Sequence, residues 1–295
     1  MANVAVIGRD RVKTIAKAVL PDAARRWIAS HRRRRLDRRF FQRHLRAKDV
    51  FLVGHPKSGN TWLTYMLAIV MENRFDHKKA TLANVREFIP AFHARDKEIA
   101  SYADFPEPRM FRNEGPIYPE LYPKTIYIIR DPRAVLVSYY HHFLHDTGES
   151  NWPLEAFIDE MLAYGCIRRL EPYLVRWDRQ VRYWLERSKH QAVKIVKYED
   201  MKQDRRGVLV EAIAFAGITC DEKDIALAVE RSSFDNMRKD EEMHGAEPYS
   251  GTKGERGYYV RRGTVDGWKE ELSPGLAARV EREFSETMRL VGYLP

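Results

Sequence analysis

The run Val50-Phe51-Leu52-Val53, followed at once by Gly54-His55-Pro56-Lys57-Ser58-Gly59-Asn60-Thr61-Trp62, constrains the fold of this 295-residue chain more than any other segment. A short apolar run bounded by glycine reads as a buried strand, and Thr61 to Met71 has helical period. A strand that enters a helix through a glycine-containing turn opens an α/β unit. The first N–H groups of such a helix have no partners within it, so the junction suits an anion. Gly54 and Gly59 permit tight turns and close backbone approach, and Lys57 adds a point charge. The plainer alternative is an ordinary strand–turn–helix junction. The loop is not a nucleoside-triphosphate loop, which ends in Gly-Lys-Ser/Thr and uses its hydroxyl on magnesium. Here Gly59 is followed by Asn60-Thr61, which suits a short anion held without a metal.

The rest of the chain repeats the alternation. Thr125 to Ile129 reads as a second strand, and Pro132 suits the first turn of a helix running through Ser138 to about Phe143. Val193 to Val196 reads as a third strand, Met201 to Ala216 as a helix, and Leu276 to Val291 as the last helix. Strands alternating with helices predict an α/β fold: a single P-loop-like domain with a central parallel β-sheet flanked by helices. Residues 243–266 show no period and read as a long loop, a kind of segment that is often functional.

Charge is unevenly placed. Residues 1–48 hold fifteen Arg or Lys against three Asp, a net +12, so the remaining chain carries −3 of the total +9. The basic character therefore belongs to an N-terminal arm, which argues against a nucleic-acid-binding body. Val12, Ile15, Ala16, Val19, Leu20, Ala23 and Trp27 recur at helical spacing, interrupted by Pro21, before the run His31 to Arg35. A basic amphipathic segment can lie on an anionic membrane surface, and the plainer reading is a packed helix with a solvated basic face. The chain thus divides into a basic helical arm, 1–48, and a folded domain, 49–295. Cys166 and Cys220 match no zinc or redox spacing and suit a reducing compartment. With no apolar run of bilayer length and no signal-peptide pattern, the expected location is the cytoplasm, with peripheral membrane contact through the arm as the finer alternative.

Pro56-Lys57-Ser58-Gly59-Asn60-Thr61-Trp62 closely resembles the 5′-phosphosulfate loop of the cytosolic sulfotransferases, which usually carry Thr where this chain has Asn60. Ile129-Arg130-Asp131-Pro132-Arg133 through Val137-Ser138-Tyr139-Tyr140-His141 resembles that family's 3′-phosphate segment. Arg261-Arg262-Gly263, with Gly267-Trp268-Lys269, resembles its C-terminal signature. Tyr198-Glu199-Asp200-Met201 and Ser232-Ser233-Phe234 with Met237 are similar to two further blocks. The resemblance spans about residues 50–270. It implies sulfuryl transfer from 3′-phosphoadenosine-5′-phosphosulfate to an acceptor hydroxyl or amine, leaving adenosine 3′,5′-bisphosphate, with no metal and no nucleic acid. On it, Ser58, Gly59, Asn60, Thr61 and Trp62, with Lys57, hold the 5′ end. Arg130 and Ser138 bind the 3′-phosphate, and Arg261, Arg262 and Gly263 close over it. Trp62, Phe234, Ser232 and Tyr198 surround the adenine. Forked guanidinium groups and aromatic faces are suited to these tasks. For Arg130 the alternative is a surface ion pair with Asp131.

The base position departs from the resemblance. The family's general base is a His in a Lys-Thr-His triplet, and Arg112-Asn113-Glu114 falls on it, which puts Glu114 in place of His. A carboxylate within reach can take the acceptor's proton, while Lys57 and Arg112 neutralise growing oxygen charge. A solvent-exposed loop acid is the alternative for Glu114. His55 is the rival base, followed by His141, His142 and His145, and Asp104 and Glu107 enter if the register slips. Loops at 74–120, 146–170 and 240–260 are expected to form the acceptor pocket with Phe75, Phe88, Phe92, Phe105, Tyr118, Trp152, Tyr164 and Tyr249. Glu as base favours a carbohydrate or glycolipid acceptor. Ser273-Pro274 and Ala278 depart from the family's dimer motif and leave the oligomeric state open. The competing functions are a nucleotide-dependent kinase and a non-catalytic membrane or polyanion adaptor.

Overall fold

The computed structural model describes residues 38–91, 97–116, 118–148, 151–167, 174–246 and 259–295. Four strands, β1 (Val50–Gly54), β2 (Met110–Asn113), β3 (Lys124–Ile129) and β4 (Val193–Lys197), form a fully parallel sheet in the order β2-β1-β3-β4. Around it lie α1 (Asn60–Val70), α2 (Pro132–Thr147), α3 (Leu154–Tyr164), α4 (Trp177–Arg187), α5 (Tyr198–Gln203), α6 (Arg205–Ala216), α7 (Glu222–Arg231), α8 (Phe234–His244) and α9 (Pro274–Leu290).

The strand alternation explains the layers. Val50, Leu52, Ile126 and Ile128 bury with Leu63 and Leu67 of α1 and Leu209 of α6. Phe51, Val53, Tyr127 and Ile129 bury on the other face with Leu136 of α2, Phe157 of α3, Trp184 of α4 and Phe284 of α9. Both faces are covered, so the central strands read as unbroken apolar runs. Pro132 does open α2, behind Asp131, whose side chain accepts from the Arg133 N–H at 2.9 Å, and Gly148 ends it at φ 70°.

Three expectations are amended. β2 is a fourth strand that periodicity missed, because its two carboxyl-end residues, Arg112 and Asn113, are polar although buried. The helix read as Met201 to Ala216 is two: α5 ends at Asp204, whose carboxylate caps α6 by accepting from the Gly207 N–H at 2.8 Å. Residues 38–44 are helical, and Phe41 buries beside Phe51 and Tyr122 with ring centroids 6.1 Å apart, so the packed body begins before residue 49. Residues 1–37, with the basic run, and 247–258, with most of the long loop, lie outside the described residues. Among the described residues no helix is long and apolar enough to cross a membrane.

Candidate active site

In an open parallel sheet the chain leaves neighbouring central strands toward opposite faces at one point, and ligands bind there, past the carboxyl ends. In the order β2-β1-β3-β4 that point lies between β1 and β3. The loop after Gly54 and Arg130 after Ile129 meet at it. Lys57 sits in left-handed backbone (φ 68°), a conformation a non-glycine residue keeps only when held. Arg130 supplies the hold, its Nη1 donating to the Lys57 carbonyl at 3.0 Å. Gly59, at φ 105°, must be glycine twice over: a Cβ there would lie 2.7 Å from the Tyr198 ring. It gives α1 no side-chain cap, so the first N–H groups of the helix face the cleft.

The cleft at this point measures about 990 Å³ including its open mouth, the size of a nucleotide site. Gly59, Asn60, Thr61, Trp62, Lys57, Arg130, Ser138, Tyr198, Ser232, Phe234, Arg261, Arg262, Gly263 and Glu114 all line it. Ser58 and Arg112 lie buried just behind its wall. The Ser58 hydroxyl and the Arg130 Nε are buried without a protein partner, an arrangement that costs free energy unless a ligand completes it. Cationic donors, a bare helix N-terminus and an aromatic wall together fit a nucleotide carrying anionic groups at two ends.

The aromatic end is tightly built. Trp62 donates from Nε1 to the Ser232 carbonyl at 2.9 Å and packs on Tyr198 at 5.5 Å. The Arg130 guanidinium lies 4.1 Å over the Tyr198 ring, while Asp131 pairs with Arg133 at 2.6 Å, so Arg130 is no surface partner of Asp131. Gly263 (φ 61°) lies flat on Phe234, where a Cβ would meet the ring at 2.6 Å. Arg261 and Arg262 pair with Glu271 and Glu270 at 2.8 Å each.

At the other end, Glu114 follows β2, one residue past Asn113, which pairs with Val53. Gln180 of α4 donates to its carbonyl at 3.0 Å, and Asn60 donates to its Oε1 at 3.1 Å. Arg112 stands 3.9 Å from the same carboxylate and donates to the Thr61 hydroxyl at 3.3 Å. Two of the rival histidines lie near the site, but burial disfavours their charged forms. His55 is buried beneath the loop, its Nδ1–H donating to the Pro56 carbonyl, and desolvation holds its pKa down at about 4. His142 is pushed down to about 2 by burial and by the charges of Lys57, His145 and Arg112. His141 pairs with Glu271. Glu107 pairs at the surface with Arg46 and Lys48.

The expected aromatic acceptor wall is corrected. Phe88 is fully buried against Phe75, which packs on Phe105, and Trp152 packs on Phe143. Tyr118 packs on Phe41. Phe88 belongs to the core, Phe75, Tyr118 and Trp152 are partly buried against it, and Tyr164 is exposed. Phe92 and Tyr249 lie outside the described residues. Sequence reasoning missed Tyr259, whose hydroxyl lies 2.6 Å from the Thr61 hydroxyl and whose ring carries the Lys57 ammonium at 4.2 Å. Its only signal was its place two residues before Arg261 in an aperiodic segment. Lys202 also lines the cleft, its pKa lowered by burial and by Arg205 and Arg130.

Fold and site together define a doubly wound α/β protein with an anion site at its switch point. Over residues 47–292 the chain matches the sulfotransferase domain family, and it belongs to that family. It is 28% identical over 262 residues to the amine sulfotransferase of Oryctolagus cuniculus, covering 83% of this chain and 82% of the relative. With sulfotransferase 1E1 of Homo sapiens it shares 24% over 262 residues, covering 83% and 85%. Among solved structures, mouse sulfotransferase SULT7A1 complexed with PAP superposes with a TM-score of 0.61 at 23% identity, covering 83% of this chain and 86% of that one. Retinol dehydratase in complex with androsterone and inactive cofactor PAP gives 0.61 at 17%, covering 83% and 81%. The chain is a sulfotransferase, an enzyme that moves a sulfuryl group to an acceptor.

Proposed function

We propose that the cleft binds 3′-phosphoadenosine-5′-phosphosulfate and that Glu114 is the general base for sulfuryl transfer to an acceptor hydroxyl or amine. The observation that carries this is the pairing of unpartnered buried donors, Ser58 Oγ and Arg130 Nε, with a carboxylate 3.1 Å from the same loop's Asn60. When bound, the nucleotide supplies an activated sulfuryl group and a good leaving group. The chain's own residues do the rest. The α1 N-terminus, Ser58 and Thr61 hold the 5′ anion, and Arg130 and Ser138 hold the 3′-phosphate, with Arg261, Arg262 and Gly263 as the closing strap. Trp62, Tyr198, Ser232 and Phe234 position the base. Glu114 accepts the acceptor's proton. Lys57 and Arg112 offset the charge that gathers on the transferring oxygens, a role that preorganised cations fill in a partly closed site.

The finer reading is a cytoplasmic enzyme acting on a carbohydrate or glycolipid, with the basic sequence ahead of the packed helix at 38–44 as an arm able to meet an anionic membrane. The Glu base and the basic run support it. Turnover with phenols alone, and none with sugars, would sink the acceptor class. Calorimetric titration with adenosine 3′,5′-bisphosphate tests the site itself. Micromolar binding to the native protein that Arg130→Ala weakens tenfold or more is expected, a loss typical of a charged hydrogen-bond donor. Absence of binding to the native protein would overturn the reading.

A further inference from the structure

The chain departs from its family's usual residues at two places in the site, Asn60 for Thr and Glu114 for His, and these two residues touch. Asn60 Nδ2 lies 3.1 Å from Glu114 Oε1, and also 3.2 Å from the carbonyls of Gly54 and His55. Three acceptors round one amide nitrogen leave it a single orientation, since the amide oxygen would repel all of them. Gly54 makes the room: a Cβ there would lie 2.2 Å from Asn60 Oδ1. Asn60 is buried, so its amide has little freedom to turn away.

We propose that Asn60 is a positioning residue for Glu114, and that Asn60 and Glu114 replace the family's Thr and His as a unit; the proposal rests on Glu114 being the base. The chemistry explains why they go together. A carboxylate only accepts, so a fixed donor on Oε1 steadies it and leaves Oε2 for the incoming proton. Arg112, at 3.9 Å, is too far to orient it by a direct hydrogen bond. A Thr hydroxyl is shorter than the Asn amide and cannot span from the loop carbonyls to Oε1. Against an imidazole base the amide donor is a liability, because it occupies the lone pair that must receive the proton. A Thr hydroxyl instead can turn to donate or accept.

A four-protein cycle tests this: wild type, Asn60→Thr, Glu114→His and the double variant. Turnover of 3′-phosphoadenosine-5′-phosphosulfate is followed by release of adenosine 3′,5′-bisphosphate with phenol, methyl glucoside and an alkylamine as acceptors. Each single variant is expected to lose kcat on the order of tenfold or more. The double variant is expected to recover most of the loss, a coupling of the size contacting residues show. Affinity for adenosine 3′,5′-bisphosphate and the melting temperature are expected to stay within twofold and a few degrees. Multiplicative losses in the double variant would overturn the proposal, as would an Asn60→Thr variant whose lost turnover is matched by lost nucleotide affinity or stability. Glu114→Gln separates the two layers: near-native turnover there overturns the base assignment itself. An inactive Glu114→Gln with an uncoupled cycle overturns only the pairing.

Discussion

The two ends of β2 carry the same kinds of group and use them oppositely. At the amino end Arg109 and Asp49 form a fork-to-fork pair, at 2.8 and 2.5 Å, with both side chains about 2% exposed or less. The Arg109 guanidinium also donates to the carbonyls of His44 and Tyr102, so its charge is fully answered. Three residues on from Arg109, Arg112 stands 3.9 Å from Glu114, which is 34% exposed. A fully paired buried ion pair has no chemistry left over; it fixes register, here by holding β2 against Val50, whose N–H donates to the Arg109 carbonyl. A loose pair at the carboxyl end keeps a lone pair and a cation available. The difference follows from the fold, because helix N-termini and loops converge at the carboxyl ends of parallel strands.

Breaking the loose pair is expected to have the largest effect. Glu114→Gln should lower kcat on the order of 10²–10⁴-fold, the usual contribution of a general base, with the urea midpoint unchanged. Breaking the closed pair should do the reverse. Arg109→Met leaves Asp49 charged and buried and should cost about 3–5 kcal/mol of unfolding free energy, read from urea denaturation, while nucleotide affinity of the remaining folded protein changes little.

A third experiment uses acid. His55 titrates at about 4 when folded, because burial disfavours its charge, against 6.5 when exposed. Above pH 6.5 neither state binds the proton; between 6.5 and 4 the unfolded chain binds it first. Stability should therefore fall as pH drops through that window, by up to ~3 kcal/mol from this group. His55→Gln should flatten the decline, measured as unfolding free energy against pH. The smallest effect belongs to Tyr259→Phe. Removing a hydroxyl hydrogen-bonded to Thr61 should change nucleotide affinity by about 1 kcal/mol, and a calorimetric change confined to the phosphosulfate, absent with adenosine 3′,5′-bisphosphate, would assign that hydroxyl to the sulfuryl end.

Legibility differed along the chain for physical reasons. β1 and β3 were plain because central strands covered on both faces are nearly all apolar, and β4, half-buried at the sheet edge, still shows Val193, Ile195 and Val196. β2 was not, since its carboxyl half is given to the site and carries Arg112 and Asn113. The phosphate loop was legible because glycine and lysine at a strand–helix junction have few other uses. The aromatic residues misled: Phe75, Phe88 and Trp152 carry no mark that separates a ring stacked on a ligand from one stacked on its neighbours. Tyr259 was invisible because its partners, Thr61 and Lys57, lie about two hundred residues earlier.

By itself the sequence determined the α/β alternation, the anion loop and the blocks that mark the family, all of which are local: a few adjacent residues fix backbone conformation and charge. Which groups meet was decided only by tertiary structure. The sheet order brings Arg130 beneath Lys57, the parallel register brings Glu114 to Asn60, and burial makes His55 neutral. Distance and desolvation, which set the strength of every charge in the site, are properties of packing and have no counterpart along the chain.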